Sequence, residues 1–274
     1  MPHRLELAEG TPEGSVRLRL ERPFTPLLEE PRRQAAQLSE LVHGQAFEVH
    51  TRAGGFAYGR ALSPLPGSSR TDYVGWVRAD GLEPPEDPLT HRVATPDAPV
   101  FSRADLKSFV SKSLPRGSAV AVMATKGDYW HIGARGWMHA AHLRPLTEPE
   151  TDPVAVARRY LGQPYVWGGN GARGVDCSGL VQMALVACGM DAPRDADQQE
   201  SALGVAVDAD AVAAGEGKRG DLLFWPGHVG MLSAPETLLH ANAHHMCVVE
   251  EPLGPALERM AGAGVVLGSA KRLG

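Results

Sequence analysis

The chain has 274 residues, of which 43% are hydrophobic, and it carries a formal net charge of −5. This length suggests two or three domains, and the apolar content is sufficient for real hydrophobic cores. The negative charge argues against nucleic acid and against an anionic membrane surface as partners.

The N-terminal segment, residues 1–38, is polar and spaced by prolines, and its pattern indicates no function. At most residues 29–38 are expected to be helical. Residues 1–7 lack the apolar core of a signal peptide, and no run of about 18 apolar residues occurs, so we expect a cytoplasmic protein.

Two segments before residue 148 repeat each other. A Gly-Trp pair followed by leucine occurs at residues 75–82 and recurs at residues 136–143, an offset of 61. A Gly-x-Ala motif at the start of residues 44–56 recurs at the start of residues 117–129, an offset of 73. The first copy therefore carries extra residues in or near 62–71. Short alternating strands separated by glycine are typical of small β-barrels, so we predict one over residues 39–86 and another over residues 87–148.

An acidic, proline-bearing linker at residues 145–153 precedes a C-terminal domain, predicted over residues 149–274. A helix at residues 154–161, a glycine-rich loop and a second helix from residue 177 are followed by short strands, which is the pattern of an α+β domain. We predict these strands at residues 221–225, 228–232, 237–241 and 247–250.

Cys177 is expected in the first turn of its helix, because Asp176 is a good N-cap and Gly189 a natural terminator. The unpaired N–H groups and the dipole at such a helix start favour the thiolate, which is the nucleophilic form. Cys188 and Cys247 are interpreted as ordinary buried thiols. About 16 Å of helix would separate Cys177 from Cys188, too far for a disulfide.

A cysteine nucleophile needs a base and a group that orients this base. His228 begins a predicted strand after a tight turn, and His240 lies on the next strand, so the two rings would meet if the strands pair. A zinc or nickel site at His240, His244, His245 and Cys247 is the competing interpretation. Strand geometry would point His244 and His245 to opposite faces, and we predict no metal and no cofactor.

Four motifs of the C-terminal domain are similar to those of a known family: Tyr-x-Trp-Gly-Gly at residues 165–169, Asp-Cys-Ser-Gly-Leu at 176–180, Gly-His-Val-Gly at 227–230 and Leu-His-Ala at 239–241. They resemble the NlpC-like family of cell-wall cysteine peptidases, which implies a papain-like fold with a Cys-His-His centre. The duplicated segments resemble the bacterial SH3-like domains of one subgroup, the γ-D-glutamyl-L-diamino-acid endopeptidases. The implied fold class is a papain-like α+β domain preceded by two SH3-like β-barrels.

The resemblance implies Cys177 as nucleophile, His228 as base and His240 as the orienting group, with an oxyanion hole at the helix N-terminus. It also implies that six residues bind the substrate: Tyr73, Trp167, Asp176, Ser178, Arg194 and Asp195. For two of them a structural role is the alternative, since Trp167 could only pack its loop and Asp176 could only cap its helix. In the subgroup a tyrosine of the first barrel and acidic groups hold the substrate's L-alanine. Asp195 is the first acidic candidate and Glu40 a second, looser one, while Ala196 stands where the family often has serine.

The implied reaction is hydrolysis of the γ-D-glutamyl–diamino acid amide in murein peptides with a free N-terminal L-alanine, in recycling of wall fragments. One alternative is an exported hydrolase that binds intact wall through its SH3-like domains. A second is a non-catalytic wall-binding module. The nature of the diamino acid and the oligomeric state are not predicted.

Overall fold

The structure, a computed structural model, describes residues 14–64, 71–133 and 136–274. The chain divides into two compact units, residues 1–149 (unit 1) and residues 150–274 (unit 2). The helices within the described ranges lack the length and apolar character that a membrane span requires.

Unit 1 is built from short strands. Their bounds are β1 Val16–Leu20, β2 Phe24–Leu28, β3 Gln37–Val42, β4 Ala46–Ala53, β5 Phe56–Leu62, β6 Thr71–Arg78, β7 Leu82–Glu83, β8 His91–Val93, β9 Asp97–Phe101, β10 Val110–Pro115, β11 Ala119–Val120, β12 Ala124–Lys126, β13 Tyr129–His131, β14 Trp137–His139 and β15 Leu143–Pro145. One turn of 3₁₀ helix, Ala140–His142, precedes β15.

The strand order repeats within unit 1. The first copy is one sheet in the order β3-β2-β6-β5-β4-β1-β7, and the second has the orders β10-β9-β14-β13-β12 and β11-β8-β15. The two orders coincide if β4 corresponds to the interrupted pair β11 and β12. This correspondence supports the predicted duplication. The additional residues of the first copy fall in its longer β5–β6 hairpin, residues 56–78 against 129–139 in the second.

Each copy buries one face of its strands around its own apolar core. Leu20, Leu27 and Phe47 are fully buried in the first core, and Val100 and Met138 in the second. Period-two alternation places these side chains on one side of their strands and leaves polar neighbours on the other. Two separate cores are what a duplicated small β-domain requires.

The predicted start of the first β-domain at residue 39 is too late. Strands β1 and β2 pair with β4 and β3, so the first sheet begins at Val16. Residues 29–36 connect the antiparallel strands β2 and β3 through bends and turns and are not helical. Among the described strands no closed barrel forms, and the SH3-like fold stays a prediction.

Unit 2 combines a sheet with helices. Its helices are α1 Pro153–Arg158, α2 Cys177–Ala187, α3 Ala196–Ala202, α4 Ala209–Ala211 and α5 Leu253–Gly262, with a π-helical turn at Val212–Glu216 after α4. Its strands are β16 Val205–Val207, β17 Leu222–Trp225, β18 His228–Ala234, β19 Thr237–Asn242, β20 Cys247–Pro252 and β21 Ser269–Arg272. The sheet order is β16-β21-β17-β18-β19-β20.

The two faces of this sheet are covered by different helices. Val229, Met231 and Leu239 pack against the residues of α2 in one core, and Leu232 and Leu238 pack with Leu253 of α5 in another. The alternation along β18 and β19 assigns these residues to opposite faces. The central sheet therefore holds α2 on one side and α5 on the other.

Four of the predicted strands of unit 2 are confirmed within about two residues, as is the helix from Cys177. The first helix ends at Arg158, earlier than predicted. Neither Cys188 nor Cys247 forms a disulfide, and both are half-buried and not fully buried as expected.

Candidate active site

Helix α2 begins as the sequence predicts. The Asp176 side chain accepts a hydrogen bond of 2.7 Å from the Gly179 N–H, which caps the helix, and Gly189 follows its end with a left-handed φ of 74°. Cys177 is the first residue of the helix. Its backbone N–H thus belongs to the first turn, where donors have no intrahelical acceptor and can face an oxyanion.

The glycine-rich loop lies directly on the first turn of α2. A Cβ atom at Gly179 would collide with the Gly169 carbonyl oxygen, so only glycine permits this approach. The loop is also fixed to the hairpin after β19, because the Tyr165 N–H donates to the Met246 carbonyl at 2.8 Å. Loop, helix start and hairpin therefore form one joined structure around Cys177.

A buried ion pair holds this structure together. Arg194, 2% exposed, donates to both carboxylate oxygens of Asp176 at 2.9 and 2.7 Å and to the Ser178 hydroxyl at 2.9 Å. The same carboxylate accepts the Gly168 N–H at 2.8 Å. Asp176, Ser178 and Arg194 were predicted to line the substrate side, but their burial and mutual hydrogen bonds fit a role in positioning the loop and the helix.

The Cys177 thiol is buried, with 6% of the residue exposed. Its pKa is raised to about 11, mainly by burial and further by the Asp176 carboxylate, while hydrogen bonds from the Val229 and Ser178 N–H groups and the Arg194 charge only partly offset this rise. In the resting site burial therefore outweighs the effect of the helix start, and the raised pKa favours the neutral thiol over the expected thiolate. The Val229 N–H also brings the sulfur to the residue that follows His228.

His228 is the first residue of β18 and follows an exposed turn at Pro226 and Gly227. The pairing of Met231 with Leu239 puts His240 beside Gly230, two residues along the strand from His228. A Cβ at Gly230 would approach a Leu238 methyl group within 2.6 Å. Glycine at this position leaves space for the two rings to meet diagonally across the strands.

The two histidine rings do meet. His228 Nε2 lies 2.9 Å from His240 Nδ1, with 5.1 Å between the ring centroids. The pKa of His228 is lowered to about 3, mainly by burial and further by the neighbouring His240. Burial also lowers the pKa of His240. Both imidazoles are therefore neutral at physiological pH, and a neutral ring is one that can accept a proton from a thiol.

Three residues at this site have no place in the sequence-based prediction. His240 Nε2 lies 2.7 Å from Glu251 Oε1 and 2.9 Å from Asn242 Nδ2. Arg259 of α5 donates to both oxygens of Glu251, at 2.6 and 2.7 Å. The only sequence signal for Glu251 is the alternation of side chains along β20. Val249 lies opposite His240, and Glu251, two residues further along, is on the same face of the strand as Val249.

The remaining predicted residues lie in different surroundings. Trp167 is 69% exposed at the edge of the glycine-rich loop, so its ring does not pack the loop. Asp195 is half-buried at the N-cap position of α3, where its side chain makes no capping hydrogen bond. In unit 1, Tyr73 packs against the core of the first copy and Glu40 is buried on β3.

The histidines after β19 do not assemble with further ligands. The rings of His244 and His245 lie edge to face with centroids 4.7 Å apart, and His245 approaches the Asn242 side chain. No group of three or more potential metal-ligating side chains occurs within the described part of the chain.

The similarity of this chain to known proteins agrees with this geometry. Residues 162–260 match the model of the NlpC/P60 family. The crystal structure of an NlpC/P60 family protein from Bacillus cereus ATCC 10987 superposes with a TM-score of 0.77, covering 94% of this chain and 99% of that one at 17% identity. That likeness shows a shared fold and confirms the papain-like α+β prediction for unit 2.

Two curated relatives match beyond the family region. The γ-D-glutamyl-L-lysine dipeptidyl-peptidase of Bacillus subtilis is 35% identical over 187 residues, which cover 62% of this chain and 60% of the relative. Dipeptidyl-peptidase 6 of Lysinibacillus sphaericus is 28% identical over 172 residues, covering 62% and 59%. This chain thus spans about 60% of the length of each, and both alignments are longer than unit 2.

Proposed function

Because residues 162–260 of this chain are an NlpC/P60 domain, we propose that the protein is a cysteine peptidase acting on murein peptides. The bond hydrolysed would be the amide between the γ-carboxyl group of D-glutamate and a diamino acid. One observation carries the proposal. A thiol at the start of a helix lies against the N–H of Val229, the residue that follows His228, and His228 Nε2 is 2.9 Å from a second histidine. A nucleophile, a base and an orienting group are the parts that acyl transfer to cysteine requires.

The proposed reaction starts from a neutral thiol and a neutral imidazole. His228 Nε2 is engaged by His240, so Nδ1 is the nitrogen that takes the thiol proton as sulfur attacks the γ-carbonyl carbon. The backbone N–H of Cys177 stabilises the oxyanion that forms. The proton passes to the leaving amine, the C–N bond breaks, and a thioester remains. Water, deprotonated by His228, then cleaves the thioester and restores the thiol.

The substrate part of the proposal is supported by the relatives, by an exposed residue of the glycine-rich loop and by a half-buried carboxylate at the start of α3. A protein named dipeptidyl-peptidase releases dipeptides from a free N-terminus, which fits a peptide that begins with free L-alanine. Trp167 offers an exposed ring beside the loop, and Asp195 offers a carboxylate. A substrate ammonium needs such a carboxylate partner when it is buried. The proposed role of Tyr73 rests on the sequence resemblance.

Recycling of wall fragments in the cytoplasm is the cellular role we propose. It rests on the specificity for a free N-terminal alanine, which would exclude stem peptides still attached to glycan. An exported hydrolase that acts on intact wall is the alternative.

Mass spectrometry of products tests the proposal. The protein is incubated with L-Ala-γ-D-Glu-diaminopimelate, with the L-lysine analogue, with the N-acetylated form of each and with purified sacculi. We expect release of L-Ala-D-Glu from the free peptides only. Cys177→Ala should abolish this release, whereas the matched variant Cys188→Ala, which removes a thiol from the other end of the same helix, should retain it.

The outcomes separate the parts of the proposal. Turnover by Cys177→Ala would refute the cysteine mechanism. Equal cleavage of free and acetylated peptides would remove the specificity for the N-terminus. Release of peptides from sacculi would favour the exported hydrolase.

A further inference from the structure

Beyond the two histidines, strand β20 adds an acidic group to the site. Glu251 Oε1 lies 2.7 Å from His240 Nε2, on the side of the ring away from His228, and the glutamate side chain is 12% exposed. A continuous row of contacts therefore runs from His228 through His240 to Glu251 and on to Arg259 of α5. The row ends on a helix that lies across the sheet from α2.

The charge of Glu251 decides which nitrogen of His240 carries the proton. Although burial by itself would raise the pKa of Glu251, hydrogen bonds from Arg259 and His240 hold it at about 2. An ionised carboxylate only accepts hydrogen bonds, so His240 Nε2 must donate to it. A neutral His240 then has an unprotonated Nδ1, which accepts from His228 Nε2. His228 in turn is left with an unprotonated Nδ1, the nitrogen that a base needs.

A competing donor makes this assignment depend on Glu251. Asn242 Nδ2 lies 2.9 Å from the same His240 Nε2, and Asn242 Oδ1 accepts the His245 N–H at 2.8 Å, which fixes the orientation of the amide. An amide N–H favours an unprotonated Nε2, which would move the His240 proton to Nδ1. In that tautomer His240 Nδ1 would donate its proton to His228 Nε2, so the direction of the hydrogen bond between the two rings would be reversed.

We propose that Glu251 is a positioning residue that fixes the tautomers of His240 and His228 against the opposing pull of Asn242. This inference rests on the proposed peptidase function for its kinetic consequences. Arg259 contributes by holding both oxygens of the carboxylate in place, which a single contact would not do.

The first test reads the tautomers directly. Long-range ¹H–¹⁵N NMR spectra of the ¹⁵N-histidine-labelled protein should show His240 protonated at Nε2 and His228 protonated at Nε2. In Glu251→Gln the amide can either accept or donate, so we expect His240 to shift towards the Nδ1-protonated form. Wild-type His240 protonated at Nδ1 would overturn the proposal, whether or not the protein has peptidase activity.

The second test uses turnover of the free peptide. We expect Glu251→Gln to lower kcat roughly 10- to 100-fold with little change in KM, the range seen when groups that orient functional histidines are removed. Glu250→Gln is the matched control. Glu250 is the preceding residue on β20 and pairs with Arg158 at 2.6 Å on the surface, so its loss should leave kcat unchanged.

A relocated carboxylate provides the third test. Asn242→Asp in the Glu251→Gln background puts an acceptor where Asn242 Nδ2 meets His240 Nε2, and we expect both the tautomer and much of kcat to be restored. A role of Glu251 in folding alone would give no such rescue. Unchanged kcat and unchanged tautomers in folded Glu251→Gln would refute the proposal, whereas absence of turnover in the wild type would refute only the proposed function.

Discussion

Asp176 lies beside the nucleophile and Glu251 beside the histidine pair, and each carboxylate accepts hydrogen bonds from both terminal nitrogens of an arginine. Their surroundings differ. The side chains of Asp176 and Arg194 are 9% and 2% exposed, whereas Arg259 is 30% exposed and Glu251 12%. Asp176 uses its remaining capacity on backbone N–H groups, and Glu251 uses it on an imidazole.

This difference separates two ways in which a carboxylate can serve a site. The Asp176–Arg194 pair fixes main chain, namely the glycine-rich loop and the first turn of α2, so its loss should reduce stability. The Glu251–Arg259 pair fixes the proton on a ring, so its loss should reduce turnover more than stability.

Breaking the buried pair should have the largest effect on folding. Arg194→Met leaves Asp176 as a buried, unpaired charge, and we expect the free energy of unfolding to fall by about 3–5 kcal/mol. Arg158→Met removes the exposed partner of Glu250 and should leave the free energy of unfolding almost unchanged. Urea denaturation of both variants measures the two values. Similar losses in the two variants would contradict the structural role of the buried pair.

Lowering the pH should remove the contribution of Glu251 to stability. The folded pKa of Glu251, about 2, lies below the value of about 4.3 in unfolded chains, so its contribution to stability is present above this value and is lost as pH falls through about 2. The stability difference between wild type and Glu251→Gln should therefore shrink as pH is lowered from about 5 to about 3. Urea denaturation across this range measures it, and a constant difference would argue against the depressed pKa.

The smallest effect is expected when His228 is removed and the rate of alkylation of the Cys177 thiol is measured. Burial favours the neutral forms of Cys177 and His228, so iodoacetamide should label Cys177 slowly at about pH 6, and His228→Ala should not change this rate. Labelling should accelerate only towards a pH of about 11. Intact-mass measurements in a background lacking Cys188 and Cys247 isolate the Cys177 signal. Fast labelling at about pH 6 that His228→Ala abolishes would instead indicate a preformed thiolate–imidazolium pair.

Much of the site was predictable because its signals are local. The Asp176 cap, the Gly189 terminator and the alternating strands around His228 and His240 depend on neighbours within a few residues, and the structure agrees with each. The duplication in unit 1 was predictable from short motifs that recur at offsets of 61 and 73 residues, although the first copy begins at β1 and not at residue 39.

Other features depend on contacts between distant segments. Pairing of β2 with β3 makes residues 29–36 a connection, where the local pattern had suggested at most a helix. The hydrogen bonds from Arg194 to Asp176 join residues 18 positions apart in a buried ion pair that no local pattern predicts. The position of Glu251 beside His240 depends on the pairing of β20 with β19 and on the contact with Arg259 of α5.

The amino-acid sequence by itself determined where the helix with the cysteine starts, which strands carry the histidines and that unit 1 repeats. These follow from capping, glycine conformations and side-chain periodicity, which act over a few residues. Only the tertiary structure decided the protonation states of the thiol and the imidazoles and the identity of the group behind His240. Such properties depend on burial and on charges brought together from separate elements, because desolvation and hydrogen bonding act through space and not along the chain.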